Sequence, residues 1–361
     1  MTDRRPLVVV NDEHLLDELL RLAAAADCEI ECAPDLVSAR GRWSRAPLVI
    51  VDEHALSRVG PGDLPRRSAV VLVCSGGPAA PAWQQAFVAG VEQVIALPAD
   101  EASLIAALAD VAEAPSRSGG RVLAVIGGRG GGGASVFSAS VAITAARAGG
   151  EALLVDCDPL GGGLDLVLGA ELEGGLRWPD LSLNAGRVSM SALWDALPEF
   201  AYGQGRLGVL SCARDGSGPN PDGVAAVLEA GTRAGCTVVC DLPRELDASG
   251  WAVIDRADLA VIVLPAEVRA SAAAKVLASR IEERARKLAV VVRGPAPDEL
   301  SATAAADAVG LPLAAVMRAE PRLAVLLERA EFALKPSGPL AAGAHAVLDA
   351  LWLVDTDLGA A

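Results

Sequence analysis

The chain has 361 residues, of which 52% are hydrophobic and only 3% aromatic, and a formal net charge of −15. That length suits two domains, with cores of Ala, Val, Leu and Ile such as parallel sheets covered by helices use. The acid excess excludes nucleic-acid binding through a broad basic surface. No apolar run reaches the length of a membrane span, and the start MTDRRPLVVVNDEH lacks a signal-peptide pattern. A cytoplasmic protein is therefore expected.

In chain order, the first half alternates short apolar runs with helical stretches. PLVVV (6–10), PLVIV (47–51), AVVLVC (69–74) and QVIAL (93–97) read as buried parallel strands. LLDELLRLAAAA and EASLIAALADVA read as amphipathic helices. Asp12 and Glu13 follow the first strand, Asp52 ends the second of these runs, Ser75 follows the third, and Leu97 precedes Pro98 after the last. This pattern resembles a response-regulator receiver, with acidic metal ligands after the first strand and a phosphoacceptor at Asp52. Leu97 stands where receivers carry a lysine before proline. A pseudo-receiver of flavodoxin-like fold, used for contacts, is expected over 1–114, with Asp12, Glu13 and Asp52 lining its pocket. The competing reading is that Asp52 only caps a strand end.

The small polar segment EAPSRSGG, 113–120, reads as the connection, with a linker at 115–120 and a larger domain over 121–361. In that domain RVLAVI (121–126), EALLVD (151–156), LGVLSC (207–212), CTVVCD (236–241), LAVIVL (259–264), LAVVVR (288–293) and PLAAVM (312–317) read as strands. PDGVAAVLEAGTRAG and SAAAKVLASRIEERARK read as helices between them. One large, mostly parallel α/β sheet follows, and ligands in such sheets bind beyond the carboxyl ends of the strands.

Three segments at those ends bear on chemistry. In VIGGRGGGGAS, Gly130, Gly131, Gly132 and Gly133 let backbone N–H groups close around phosphate oxygens at a helix N-terminus. Ser135 is placed to hold Mg²⁺ through its hydroxyl. In LLVDCDPLGGGLD, Asp156 and Asp158 emerge at a strand end, one for the Mg²⁺ shell and one to face an attacking water. In VVCDLP, Asp241 is placed to support the same ion. The loop also satisfies G-x-G-x-x-G through Gly128, Gly130 and Gly133, with Asp156 able to hold a ribose, so a dinucleotide-binding enzyme competes. A third reading is a turn and strand caps with no ligand. The second carboxylate of DCDP and the later VVCDLP favour a nucleoside triphosphatase lineage.

The seven cysteines are scattered, and Cys74, Cys157 and Cys240 sit in apolar runs, as buried free thiols do. The Cys28/Cys32 and Cys236/Cys240 spacings suit metal, but with only His14, His54 and His345 in the chain a zinc site is not expected.

The larger domain resembles the MinD/ParA group of deviant Walker ATPases. Their K-G-G-x-G-K-[ST] pattern falls on Arg129, Gly130, Gly131, Gly132, Gly133, Ala134 and Ser135. DLPRELD, LAVIVLPAEVRASAAAKVL and VGLPLAAVMRAEPRLAVLLERAE look most like the CpaE branch, which also carries a receiver-like N-terminal domain. The resemblance implies spatial regulation, in division-site placement or in localising pilus and secretion machinery, with those assembly proteins as partners. It also implies a homodimer enclosing ATP and Mg²⁺, one loop lysine reaching across and the other binding phosphate.

Both lysines are absent here: Arg129 and Ala134 replace them. A charge-assisted hydrogen bond contributes roughly 1.5–3 kcal/mol, so nucleotide affinity falls about ten- to a hundredfold. Catalysis by Asp158 falls further, because the lysine offsets charge in the transition state. Lys275 and Lys287 are the cations weighed as substitutes, and nothing in the sequence places either at the loop. MinD proteins end in a basic helix that binds lipid. This chain ends GPLAAGAHAVLDALWLVDTDLGAA, with no Lys or Arg after Lys335. Packing of that helix on its own domain is expected, with Trp352 a packing residue and membrane contact only through a recruiting partner.

Overall fold

The computed structural model describes residues 5–353 except 27, 59–64, 66, 68, 77–89, 92, 113–118, 182–187, 189, 215–217 and 295–299. Most of the expected linker and the acidic tail after Leu353 lie outside the described residues. The chain divides into two compact units, Met1–Ala114 and Pro115–Ala361.

In the first unit, strands β1 (Leu7–Val9), β2 (Glu31–Cys32), β3 (Val49–Asp52), β4 (Val70–Ser75) and β5 (Gln93–Leu97) form a parallel sheet in the order β2-β1-β3-β4-β5. That is the flavodoxin-like order, whose switch point lies between β1 and β3. The described helices are α1 (Glu13–Ala25), α2 (Leu36–Trp43), α3 (Glu53–Ser57) and α4 (Glu101–Ala112). Leu15, Leu19, Leu22 and Ala23 recur at helical spacing and form the buried face of α1. β2 had no counterpart among the expected strands: its two residues are not buried and carry no apolar run.

The second unit opens with β6 (Arg121–Gly127), α5 (Ala134–Arg147), β7 (Glu151–Asp156), α6 (Leu164–Leu168), a 3₁₀ turn at Trp178–Asp180 and α7 (Met190–Ala196). It continues through β8 (Glu199–Tyr202), β9 (Gly205–Leu210), α8 (Pro221–Ala234), β10 (Thr237–Leu242), α9 (Ala248–Ile254) and β11 (Leu259–Pro265). It closes with α10 (Val268–Ile281), β12 (Leu288–Gly294), α11 (Ala302–Val309), β13 (Leu313–Arg318), α12 (Leu323–Glu328) and α13 (Pro339–Trp352). The sheet has eight strands, ordered β13-β12-β11-β6-β10-β7-β9-β8. All pairs are parallel except the β8–β9 hairpin, so one antiparallel edge strand joins the seven expected. α10 also differs: it stops at Ile281 instead of running through Lys287. Past Ile281 the chain offers charges and, for the core face, only the small Ala285.

Alternate residues of the central strands face opposite cores. Val122, Ala124, Ile126, Val238 and Cys240 point to one; Leu123, Val125 and Val239 point to the other. Helix α5 is buried along Val136–Ala146, between the sheet and α13. Its hydroxyls stay satisfied inside the core: Ser140 Oγ donates to the Val136 carbonyl at 2.7 Å, and Thr144 Oγ1 to that of Ser140 at 2.7 Å. α13 buries Leu340, Ala344, Val347 and Leu351 on its own domain. Trp352, 40% exposed, stacks beneath Arg121 at 5.7 Å. No described helix is long and apolar enough to cross a membrane.

Candidate functional site

β6, β7 and β10 end at one edge of the larger sheet, and that edge collects most of the predicted residues. The glycine turn runs from Gly128, whose N–H donates to the Val263 carbonyl at 2.8 Å, to the first turn of α5. Gly131 and Gly133 adopt left-handed φ values of 69° and 96°, which β-carbons would strain. No side chain caps α5, so its first N–H groups remain donors in search of an anion.

Asp156 and Asp241 end β7 and β10 and face each other in register. Both are buried, at 1% and 3% exposure. The Asp156 carboxylate accepts from the Asp158 N–H (3.1 Å) and the Leu164 N–H (3.1 Å). Asp241 accepts from Ser138 Oγ at 3.0 Å and from the Ser135 hydroxyl. Burial pushes Asp156 up to about 6, against the backbone donors that oppose it. Burial, aided by the charge of Asp156, pushes Asp241 up to about 7, against the two hydroxyls. Asp158 is half-buried, and its Oδ1 accepts from the Leu160 N–H at 3.1 Å.

Ser135, Asp156, Asp158 and Asp241 line one open cavity of about 440 Å³, closed on its other side by Gly161–Gly163 and Glu171. Behind it, buried Asp165 receives Arg177 (3.3 Å) and Arg214 (3.0 Å), which hold the segment after Asp158 in place. Trp178 Nε1 donates to the Asp156 carbonyl at 2.6 Å and so fixes the end of β7.

The structure places the two residues that stand where the resembling family's pattern has lysine. Ala134 opens α5 as a half-buried methyl. Arg129 turns to Glu267 of its own chain, with Nη2 2.9 Å from Oε1. Lys287 sits at the start of β12, the far edge of the sheet from the loop, and Lys275 is exposed on α10. Lys287 is therefore away from Ala134.

The residues present fit a magnesium nucleotide on two observations. The uncapped start of α5 behind left-handed glycines leaves amide donors for phosphate. The two carboxylates, raised chiefly by burial, are the arrangement a divalent cation relieves. Ser135, Asp156 and Asp241 would hold that cation, and Asp158 would orient a water. A dinucleotide fits less well. In that fold the ribose-binding acid ends the strand next to the glycine-turn strand, whereas β10 lies between β6 and β7.

In the first unit Asp12 caps α1, its Oδ1 accepting from the Leu15 N–H at 3.1 Å, and Glu13 is exposed. Asp52 is 3% exposed. Its Oδ2 accepts from the N–H groups of Asn11 (2.6 Å) and Asp12 (3.0 Å), and its Oδ1 from that of Ala55 (2.7 Å). Both oxygens are thus committed to the backbone. Leu97 is buried at the end of β5 and offers no charge. All seven cysteines are free thiols, only Cys32 exposed, and no metal-binding cluster occurs among the described residues.

Three residues at the site edge were not foreseen. Ser138 follows Ser135 by less than a turn, a spacing that signals a shared face. Glu267 and Arg293 follow or end strands read correctly, so the rule that ligands gather at strand carboxyl ends was the available signal.

Residues 9–119 match a family model described as the Rv3660c-like, CheY-like N-terminal domain. The Mycobacterium tuberculosis protein Rv3660c (strain ATCC 25618 / H37Rv), described as uncharacterized, is 43% identical over 346 residues, 95% of this chain and 97% of that one. Among solved structures, a ParA family ATPase from Chlorobium tepidum TLS superposes with a TM-score of 0.55 at 18% identity, over 63% of this chain and 98% of that one. MinD in the MinC:MinD cell division protein complex of Aquifex aeolicus gives 0.51 at 20% identity, over 63% and 96%. A CheY-like domain followed by a ParA/MinD P-loop NTPase-like domain is therefore the fold, and the chain belongs to the Rv3660c-like family.

Proposed function

We propose that this protein regulates placement of the division septum, as a septum site-determining protein of the CpaE-like branch of the MinD/ParA group. It acts through protein contacts, and it binds ATP with Mg²⁺ weakly and hydrolyses it slowly or not at all. The observation that carries this reading is the asymmetry of the site. The residues read as the cation side, Ser135, Asp156, Asp158 and Asp241, line one cavity. The phosphate side has Ala134 in line and Arg129 tied to Glu267. The 1–114 unit serves as a pseudo-receiver, because Asp52 spends both oxygens on backbone donors. Division or secretion and pilus assembly proteins are the partners, with a homodimer as one working state. The protein works in the cytoplasm and reaches the septum or inner membrane face through a partner, since α13 is packed on its own domain.

Overexpression in the native host is expected to produce filaments, and deletion to shift the cell-length distribution. Normal lengths in both strains would overturn the division role. A second reading, an ATPase that localises pilus or secretion machinery, is favoured by the intact Asp158. It requires turnover that Asp158→Ala abolishes.

A further inference from the structure

β12 reaches the same edge of the sheet as the glycine loop and carries a cation there. Arg293 is in register with Pro265 of β11 and Met317 of β13, and its carbonyl accepts from the Ala266 N–H at 2.9 Å. With its backbone fixed, the side chain runs to the loop: Nη1 lies 3.4 Å from where a β-carbon on Gly133 would stand. Gly133 immediately precedes Ala134. The guanidinium therefore rests one residue from the missing lysine, although 160 positions separate Gly133 from Arg293 along the chain.

Arg293 is half-buried, and no acceptor for its guanidinium is found among the described residues. Arg129, by contrast, is neutralised by Glu267. A half-buried guanidinium with no acceptor among the described residues is free to take an anion in exchange for water. The cavity beside it, about 340 Å³, is also lined by Arg318 and Arg322. Its one carboxylate, Glu320, is buried with neither oxygen hydrogen-bonded, and Lys335 stands 3.2 Å from Oε1 as its counter-charge. This is a cationic wall in a chain whose formal charge is −15.

We propose that Arg293 supplies, from β12, the phosphate-binding charge that Ala134 cannot. The inference rests on reading the loop as a nucleoside triphosphate site. A guanidinium offers a planar fork of donors matched to two phosphate oxygens. Held on a strand instead of on α5, it grips phosphate from the side of the loop. Binding is thereby kept, while the in-line charge that assists phosphoryl transfer is not restored.

The test is titration of the purified full chain with a fluorescent ATP analogue and Mg²⁺, with inorganic tripolyphosphate as competitor to isolate the phosphate contribution. Arg293→Ala is expected to weaken both ligands about ten- to a hundredfold, and Arg293→Lys to keep part of the affinity. Arg318→Ala, which removes a like charge from the same cavity but not from the loop, should cost less than about threefold. Adding Ala134→Lys to Arg293→Ala should return affinity to within about threefold of wild type, a rescue that a purely structural role does not produce. Equal binding by wild type and Arg293→Ala would overturn the proposal and leave the nucleotide site standing. So would binding by Ala134→Lys alone, with none by wild type. A loss in Arg293→Ala that Ala134→Lys does not rescue would also overturn it. Absence of binding by every variant would overturn the nucleotide site as well.

Discussion

Asp241→Asn is expected to stabilise the ligand-free protein above neutral pH. Asp241 and Asp156 are buried side by side, and burial raises them to about 7 and about 6. In the unfolded chain both titrate near 4. Between about pH 4 and pH 7 the folded state therefore holds protons that the unfolded state has released, so stability falls as pH rises through that window. For Asp241 alone, a rise from near 4 to about 7 corresponds to on the order of 4 kcal/mol at pH 8. Asparagine keeps an acceptor for Ser138 Oγ and removes the charge. Thermal midpoints at pH 5.5 and 8 check this. The wild type should melt lower at pH 8, the variant should be flatter and higher there, and Mg²⁺ should raise only the wild type at pH 8. A variant less stable than wild type at pH 8, with an unchanged pH slope, would contradict the origin given for the two raised carboxyls.

Ala134→Lys is expected to tighten Mg-ATP binding about tenfold, the lower end of what a charge-assisted hydrogen bond contributes. The lower end applies because Arg293 already stands 3.4 Å from the β-carbon position of Gly133 and would share the same oxygens. Turnover is expected to stay slow in this variant. Arg129, at the position of the lysine that crosses the dimer in the resembling family, remains paired with Glu267 in its own chain. Glu267→Ala added to Ala134→Lys frees that arginine and should raise turnover further. Calorimetric titration gives the affinity, and phosphate release gives the rate. An affinity unchanged by the lysine, in wild type and in Arg293→Ala alike, would mean that the loop does not hold phosphate.

The elements most legible in the sequence were those buried on both faces. β6, β7, β10, β11 and β12 have apolar runs at their centres, and the residues of those central runs are buried. β8 was not legible as a strand. Glu199–Tyr202 is a four-residue edge strand with half-exposed positions, and its only marker was the Gly203–Gln204 turn, with φ 66° at the glycine. The helix read over SAAAKVLASRIEERARK runs past its observed end at Ile281, after which only Ala285 of that stretch is apolar. Arg284 instead pairs with Asp255 and stacks on Trp251 at 4.5 Å.

The same division holds at the site. Ser135, Asp156, Asp158 and Asp241 were readable because each ends an apolar run or follows the glycines, and local sequence placed them. Pairing Arg129 with Glu267, 138 residues away, and bringing Arg293 to Gly133 depend on strand order. No local pattern encodes the neighbours β6, β11 and β12. The sequence thus carried the missing lysines plainly and the compensating arginine not at all.

On the proposed function the site binds Mg-ATP and turns it over slowly or not at all. Phosphate release from Mg-ATP by the purified wild-type chain beside Asp158→Ala tests this. A wild-type rate at or barely above the buffer control is expected; rapid wild-type turnover that disappears in Asp158→Ala would contradict it.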